Sequence, residues 1–384
     1  MIKKSLLSLA LGTFAIGMTE FTMMGILPDI AKDLNIDIPS AGHLISLYAL
    51  GVVIGSPILV LFTAKYSPRK VLIFLMLLFA VFNGLFAVSP IYSVLLISRF
   101  MAGLPHGAFF GVGSVVAAKF ADKGKKAQAI AIMVTGMTIA NLIGVPLGTY
   151  IGHHFSWRYT YLIISLFGLL SMLSIYLWIP KMQPLSQVSK KSQLGYFKTK
   201  KAWVIIGMVS IGTGGLFAWL SYIAPLMTEI TKVHEDGIPF VMVLVGLGMI
   251  IGNLLGGKLA DKITPQKTVT VSFIFMMLCL IIIYFTAHIP FMSYAMAFIT
   301  GVAAFSCSSP IQMLLIDSAE GSESIAAAGG QSSFNLGNTM GAFFGGLPIT
   351  YGYAYNSPLL IGVGMVAIGI CFSYYYLVLL KKSN

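Results

Sequence analysis

The chain has 384 residues, of which 57% are hydrophobic and only 9% charged, with a formal net charge of +12. Soluble domains carry about 25% charged residues, so this composition excludes a water-soluble core and predicts a protein immersed in lipid. A membrane-crossing helix needs about 20 apolar residues, which leaves room for about twelve such helices. The apolar runs, such as residues 71–88, are unbroken rather than alternating, and therefore predict helices and not barrel strands.

In chain order, the apolar runs predict six membrane spans in each half of the sequence. The first run follows Lys3 and Lys4 and continues to Leu27, so we interpret it as a span, because a signal-peptide core is shorter. A polar segment with six lysines follows the sixth span. We therefore expect an N-terminal six-helix bundle (1–180), a basic linker (181–201) and a C-terminal six-helix bundle (202–384). The predicted spans are 5–27, 40–64, 70–89, 92–118, 127–152, 157–179, 202–228, 238–260, 268–287, 290–316, 325–350 and 355–380.

The basic residues are concentrated on one side of the predicted spans. The linker, both termini and the loops on their side carry nearly all of them, whereas the opposite side carries Lys32, Arg158 and Lys232. Cytoplasmic loops are enriched in lysine and arginine, so we expect a cell inner-membrane protein with both termini in the cytoplasm. Charge spread over short loops argues against a nucleic-acid partner. The expected partners are the lipid bilayer, protons and a small-molecule substrate, with the chain acting as a monomer.

The second half of the sequence repeats the first with a constant shift of 197 residues. Because this shift spans six helices, both halves have the same orientation, which is typical of the major facilitator architecture. The predicted fold class is an all-α polytopic membrane protein with twelve transmembrane helices in two parallel six-helix halves. Substrate is expected near the midplane between the halves. The matched pairs include Gly17 and Gly214, Pro28 and Pro225, Gly51 and Gly248, Lys65 and Lys262, and Asn141 and Asn338.

Several motifs resemble those of the major facilitator superfamily. GGKLADK (256–262) is similar to the signature of its loop between helices 8 and 9, and Arg99 stands in a motif similar to its fourth-helix arginine motif. NLIGVPLGTYIG (141–152) resembles the fifth-helix segment of drug and sugar:proton efflux antiporters. GMTEF (17–21) and GLPHGAFFGVG (103–113) resemble the AraJ-type sugar efflux group. The resemblance implies secondary transport driven by a proton gradient, with no bound cofactor.

The resemblance also implies a gate on the linker side of the bundle. Asp261 and Lys262 match the charged loop of the second half, and Lys65 and Arg69 stand in the corresponding loop of the first half. There Ala64 takes the place of the acidic residue, so an acidic latch is implied in the second half alone.

Glycines recur every four residues in spans 2, 5, 8 and 11, as at Gly51 and Gly55 or Gly144 and Gly148. Small residues at this spacing allow helices to approach closely. In the family these four helices line the contact between the halves, so we expect the glycine faces to lie there and to ease rocking.

Few ionisable side chains lie inside the predicted spans. A charged group at mid-bilayer costs about 2.5–3.5 kcal/mol or more, so each such group calls for an explanation. Glu20 and Arg99 lie at similar depth in spans 1 and 4, and could neutralise each other or respond to a common ligand. Arg99 could instead tie helix backbones together. His106 follows Pro105 in span 4 and could relay protons, or be a hydrogen-bonded core histidine. We assign proton coupling to Glu20, Arg99 and His106.

Polar and aromatic side chains inside the spans are candidates for substrate contact. Amide and aromatic groups suit neutral hydroxylated ligands or ligands of mixed polarity, through hydrogen bonds and ring stacking. Hydrogen bonding between helices is the alternative role. The histidines in the predicted loops, His153, His154 and His288, are expected to be solvated. The substrate candidates are His43, Tyr48, Asn141, Trp219, Tyr222, Gln312, Gln331, Asn335 and Asn338.

The leading interpretation is a secondary active transporter that exports small sugar-like or drug-like molecules against protons by alternating access. A proton symporter or a facilitative uniporter of the same fold remains open, as does a transport-inactive membrane sensor or a channel. Neither an H-E-x-x-H motif nor a P-loop is present, which disfavours an enzyme or a nucleotide-driven pump. Cys279, Cys307 and Cys371 lack metal-ligand spacing, so no metal site is expected.

Overall fold

The computed structural model describes residues 3–63, 65–122, 126–183, 199–318 and 323–383. In these ranges the regular structure is helical, and no strand occurs. Twelve long helices are numbered α1 to α12 in chain order. They are α1 (Lys4–Gly25), α2 (Ile38–Thr63), α3 (Pro68–Val88), α4 (Tyr92–Lys119), α5 (Lys126–Ile139 and Val145–Ile151), α6 (Trp157–Trp178), α7 (Lys200–Leu220), α8 (Ile238–Ile263), α9 (Pro265–Thr286), α10 (Pro290–Phe305 and Ser308–Asp317), α11 (Glu323–Thr350) and α12 (Pro358–Ser383).

Ten segments of the described chain are long and apolar enough to cross a membrane. One of them, Ala129–Trp178, has 50 residues and contains two passes, because the extended backbone of Ser156 separates α5 from α6. Division at this residue gives eleven passes, and α11, with 28 residues, is the twelfth helix of membrane length. The predicted class of an all-α membrane protein with twelve spans is therefore confirmed.

Equivalent helices pack in the same way in the two halves. In the first half α1 packs against α5 and α6, α2 against α4, and α3 against α6. In the second half α7 packs against α11 and α12, α8 against α10, and α9 against α12. Across the halves, α2 packs against α11 and α5 against α8. Residues 184–198 of the predicted linker lie outside the described residues, so the division at 181–201 stays a prediction.

The first helix of each half ends near a repeated proline. The α1 helix ends at Gly25, and a short helix (Leu27–Leu34) with Pro28 in its first turn follows it. The α7 helix ends at Leu220, eight residues before the predicted end of span 7, and a separate turn holds Pro225. Proline cannot donate a backbone hydrogen bond, so it favours the start of a new helix over continuation of the old one.

The glycine stripes lie inside the halves and not between them. A Cβ atom on Gly51 would lie under 3.0 Å from the Phe100 carbonyl of α4, and one on Gly248 would lie equally close to α10. Glycines of α5 likewise face α1, as Gly144 faces Met18. The expectation that these faces line the contact between halves was therefore wrong. They allow close packing of helices that move together.

Two sides of the bundle need names. The basic side carries Lys3, Lys65 and Lys262, and the charge distribution predicts it to be cytoplasmic. The distal side is the opposite one and carries Asp29, His154 and Asp236. On the basic side Lys3 pairs with Asp122 at 2.7 Å, which is a contact within the first half.

Candidate substrate and proton site between the halves

Arg99 is buried in α4 and is bound entirely by neutral groups. Its Nε donates to the Leu44 carbonyl at 3.2 Å, and its two terminal nitrogens donate to Oγ1 and the carbonyl of Thr19 at 2.9 and 3.3 Å. The Tyr48 ring lies 4.3 Å from the guanidinium carbon, within cation–π range. Arg99 thus ties α1, α2 and α4 together, which is the structural alternative that the sequence left open.

The polar network continues behind Arg99 toward α3. Thr19 donates its hydroxyl to Oδ1 of Asn83 at 2.6 Å, and the Asn83 amide donates to the Phe79 carbonyl at 2.8 Å. The guanidinium therefore reaches three neighbouring helices through a chain of short hydrogen bonds. Such a fully bonded network fixes helix positions, because each broken link would leave a buried polar atom unpaired.

Glu20 is buried beside this network without being part of it. No ion pair within 4.0 Å joins it to Arg99 or to any other described cation, although the two groups interact electrostatically. Its side chain is only 3% exposed, and Oε1 has no hydrogen-bond partner among the described residues. The predicted direct neutralisation by Arg99 is therefore absent, because Thr19 and Leu44 occupy the guanidinium donors.

Asn338 approaches Glu20 from the other half of the molecule. It lies on α11, has no exposed surface, and interacts with the Glu20 carboxyl through its side chain. The interaction falls outside hydrogen-bond geometry, since both amide atoms of Asn338 have no partner among the described residues. A buried polar group without a partner costs about 1–3 kcal/mol. Two such groups that face each other across the halves mark a position where a proton, a ligand or a movement can supply the missing bond.

His106 lies within the same helix as Arg99 and shares a neighbour with it. Its Nδ1 is 3.2 Å from the Tyr48 hydroxyl, and its Nε2 is buried without a partner in the described chain. The α4 helix continues through Pro105 without interruption. Tyr48 contacts both His106 and Arg99, and thereby connects two of the three residues assigned to proton coupling.

Asn141 occupies an irregular turn that the sequence did not reveal. It lies in the π-helical segment Ala140–Gly144 inside α5, and its buried Oδ1 has no partner in the described chain. The backbone carbonyl of Asn141 faces Gly246 of α8, in the other half. π-Helical turns occur often at functional sites. Asn335 of α11 donates its amide to the Gln331 carbonyl at 3.1 Å, and its Oδ1 is also unpaired among the described residues.

The remaining predicted substrate residues differ in burial and in their contacts. Tyr222 donates its hydroxyl to the Ala342 carbonyl at 2.6 Å and packs against Gly42 of α2, near the distal side. His43 is exposed and stacks on Phe343 at a ring distance of 5.9 Å, again across the halves. Trp219 is buried in α7. In contrast, Gln312 is exposed and Gln331 is half-buried.

Three of the four predicted gate residues on the basic side are exposed, and the fourth, Arg69, is half-buried. Lys65, Asp261 and Lys262 have exposed side chains and no ion pair among the described residues. Arg69 donates to the Tyr176 carbonyl and lies 5.0 Å from the Tyr176 ring. The residue matching Asp261, Ala64, lies outside the described residues. A role for these four residues in gating stays a prediction.

The distal side is closed by contacts between the halves that were not expected from the sequence. His154 of the first half lies 3.3 Å from the carboxylate of Asp236 of the second half. His153 pairs with Asp29 at 2.7 Å and its side chain is 4% exposed, so the expectation of a solvated His153 was wrong. The π-helical segment Gly152–Ser156 turns the two histidines toward different partners. His288 is exposed, as expected.

Twelve membrane helices in two equivalent halves, with a buried polar site between them, define a polytopic membrane transporter. The sequence matches the Major Facilitator Superfamily over residues 9–342 and 213–383. The chain belongs to this superfamily.

Relatives of known name agree with this assignment. The chain is 44% identical to the transporter AraJ of Escherichia coli (strain K12), over 92% of the chain and 90% of that protein. It is 37% identical to the "Inner membrane transport protein YdhP" of the same strain, over 94% and 92%. It is 30% identical to a "Probable sugar efflux transporter" of Helicobacter acinonychis, over 88% and 87%. These relatives are named as transporters, and the chain is a transporter rather than an enzyme.

A solved structure shares the fold. It is a bacterial homologue of the human lysosomal transporter Spinster, in an inward-facing and unoccupied conformation. The TM-score is 0.74 with 14% sequence identity, over 97% of this chain and 96% of the other. At this identity the likeness concerns the fold alone.

Proposed function

We propose that this protein exports small neutral or mixed-polarity molecules, sugar-like or drug-like, in exchange for protons by alternating access. The observation that carries the proposal is the juxtaposition of Glu20 and Asn338 across the halves. Glu20 is the one carboxyl at mid-depth of the membrane helices among the described residues. Its protonation state therefore acts directly on a residue of the opposite half.

The chemistry of the two side chains suits a proton switch. A carboxylate only accepts hydrogen bonds, whereas a protonated carboxyl also donates one, and an amide can do both. Charged Glu20 would draw the amide nitrogen of Asn338, and neutral Glu20 could donate to the amide oxygen. Burial of an unpaired carboxylate is expensive, so a change in distance between the halves would alter the free energy of proton binding.

The amide groups favour a substrate that forms neutral hydrogen bonds. Asn141, Asn335 and Asn338 each retain a buried amide atom without a partner in the described chain. Arg99 donates three hydrogen bonds to Thr19 and Leu44, and so each of its three nitrogens already has a neutral partner. The name of the Helicobacter relative is consistent with a sugar-like ligand. The protein would work as a monomer in an inner membrane, with the basic side in the cytoplasm.

Transport into proteoliposomes under imposed pH gradients tests the proposal. We expect counterflow with at least one member of a panel of sugars and of neutral and cationic drugs, and a rate that depends on the gradient in wild type. Glu20→Gln should keep the fold and counterflow but lose the gradient dependence. Glu229→Gln, on an exposed acid, is the matched control and should behave as wild type. Gradient dependence that survives in Glu20→Gln contradicts the assignment.

Two alternatives give different results in the same assay. A symporter would accumulate substrate along the proton gradient instead of against it. A uniporter would show counterflow without any response to the gradient in wild type. A transport-inactive sensor would show ligand-induced thermal stabilisation without counterflow.

A further inference from the structure

His154 is bound at both of its ring nitrogens. Its Nδ1 lies 3.1 Å from the carbonyl oxygen of Tyr150, and its Nε2 lies 3.3 Å from Oδ1 of Asp236. The imidazole also stacks on the Tyr150 ring, with centroids 4.1 Å apart and an interplanar angle of 27°. The ring orientation is therefore defined by three separate contacts.

Both partners of His154 can only accept a hydrogen bond. A carbonyl oxygen carries no proton, so the hydrogen bond to Tyr150 requires an N–H at Nδ1, whereas the nearby Asp236 carboxylate attracts a positive charge on the ring. The neutral ring has one N–H, and one nitrogen would then direct its lone pair at an oxygen. The arrangement therefore fits the doubly protonated, positively charged imidazolium.

This contact joins the two halves at the distal side. His154 lies in the π-helical turn after α5, and Asp236 lies in the 3-10 turn Glu235–Gly237 before α8. Several helical turns further into the membrane, the Asn141 carbonyl of α5 abuts Gly246 of α8. A bond between His154 and Asp236 thus holds the same two helices together at their distal ends.

Other titratable groups surround the pair, and most have partners of their own. His234 lies 3.0 Å from Asp236, which therefore has two histidine neighbours. His153 pairs with Asp29, and Arg158 pairs with Asp33 at 3.2 Å. The further groups on the adjoining elements are Lys32, Tyr150, Tyr159 and Glu235.

We propose that His154 and Asp236 form a proton-dependent latch that stabilises the distal-closed conformation. Protonation of His154 from the distal solution strengthens its attraction to the Asp236 carboxylate and favours closure, and loss of the proton weakens the latch. The repeat contains no second copy, because the positions equivalent to His154 and Asp236 are Tyr351 and Pro39, and Tyr351 is 79% exposed. The latch acts on the conformational equilibrium and does not depend on the proposed role of Glu20.

The test measures the distance between the halves at the distal side as a function of pH. Spin labels at Ile91 and Tyr353, which are 57% and 68% exposed, would report opening in detergent without substrate or gradient. The three cysteines are first replaced by serine. Histidine titrates near neutrality, so we expect the closed fraction of the unmutated latch to fall as pH rises from about 5 to 8. For a partly exposed ion pair the change in the closed-to-open ratio should be about two- to five-fold.

Variants separate the latch from other titrations. His154→Gln and Asp236→Asn should each abolish most of the pH response, and His154→Arg should hold the protein closed at every pH. Exposed His288 provides the control, and His288→Gln should retain the full response. In the Glu20→Gln background, His154→Gln should still remove the part of the pH response that the latch contributes, which separates this proposal from proton-coupled transport. The proposal is overturned if His154→Gln leaves the response of that background unchanged, or if His234→Gln removes the response and His154→Gln does not.

Discussion

Replacement of Gly246 by alanine should open the distal side of the protein. A Cβ atom on Gly246 would lie 2.5 Å from the carbonyl oxygen and 3.0 Å from the carbonyl carbon of Asn141, which is backbone of the opposite half. Backbone cannot rotate away as a side chain can, so the closed conformation must separate α5 from α8. Overpacking of this kind costs about 1–3 kcal/mol. Since about 1.4 kcal/mol corresponds to a factor of ten, the closed-to-open ratio should fall about five- to 150-fold.

Gly248 of the same helix is a matched control. Its Cβ would collide with the Phe298 carbonyl of α10, inside the second half, where opening cannot relieve the clash. Gly248→Ala should therefore lower the thermal unfolding midpoint without opening the distal side. Gly246→Ala should leave that midpoint nearly unchanged, because the open conformation accommodates the methyl group and alanine favours a helix.

Labelling of a buried cysteine distinguishes the two variants. Ser46 is buried near the distal contacts, and its carbonyl accepts a hydrogen bond from Thr339 of the other half at 3.4 Å. In Ser46→Cys the thiol should react with a membrane-impermeant maleimide only when the distal side opens. We expect a marked rise in labelling rate for Gly246→Ala and none for Gly248→Ala. Equal rates in both variants, or no rise in Gly246→Ala, would refute the reasoning.

Two further predictions concern stability. Arg99→Lys keeps the charge but cannot reproduce the donors to Leu44 and Thr19, so it should destabilise the fold by about 2–3 kcal/mol and lower the unfolding midpoint. An unchanged midpoint in Arg99→Lys contradicts the structural role. Asp37 caps the start of α2, and the hydrogen bond from Ser40 holds the pKa of its carboxyl below the usual value. The ionised cap therefore stabilises the folded protein fully at pH values above the pKa of Asp37 in the unfolded chain. This stabilisation is lost as the pH falls through the lower pKa of Asp37 in the folded protein. In thermal melts at acid pH, the unfolding midpoint of Asp37→Asn should fall less with decreasing pH than that of the wild type. An identical pH dependence of the midpoint in the two proteins contradicts the prediction.

The sequence was sufficient to predict the fold because hydrophobicity, loop charge and the repeat act independently and agree. The repeat predicted that α1 and α7 should be equivalent, and both indeed end near the repeated proline. Span boundaries followed from apolar length alone, which cannot distinguish a continuing helix from a turn within the membrane. The shortened α7 shows this limit, since Ile223–Pro225 is apolar but forms a separate turn.

Partners of buried side chains were harder to predict than their positions. Glu20 and Arg99 were correctly placed at similar depth, yet depth does not determine which donor reaches which acceptor. Thr19, one residue before Glu20, takes the guanidinium because its hydroxyl and carbonyl both face α4. Asn141 and Asn338 were found through the repeat, but the π-helical turn at Asn141 has no signature in residue order. His154 is exposed as expected, but its contact with Asp236 was not predicted, because the two residues are 82 positions apart and belong to different halves.

The two halves share the same helix packing but have different side chains at the depth of Glu20 and Arg99. The repeat places Phe217 at the position of Glu20 and Met296 at that of Arg99, and both are buried. Phe217 packs edge-on against Phe334 of α11 at 5.0 Å, an apolar contact that needs no hydrogen bond. The first half instead buries two charged residues at this depth. Arg99 is hydrogen-bonded, whereas Oε1 of Glu20 has no partner among the described residues. Apolar packing would hold the helices equally well without the cost of burying a carboxyl, so stability does not account for Glu20. Glu20 lies opposite Asn338 of the other half, and its environment therefore changes when the halves move relative to each other. At this position the second half contributes an amide and not a second carboxyl group.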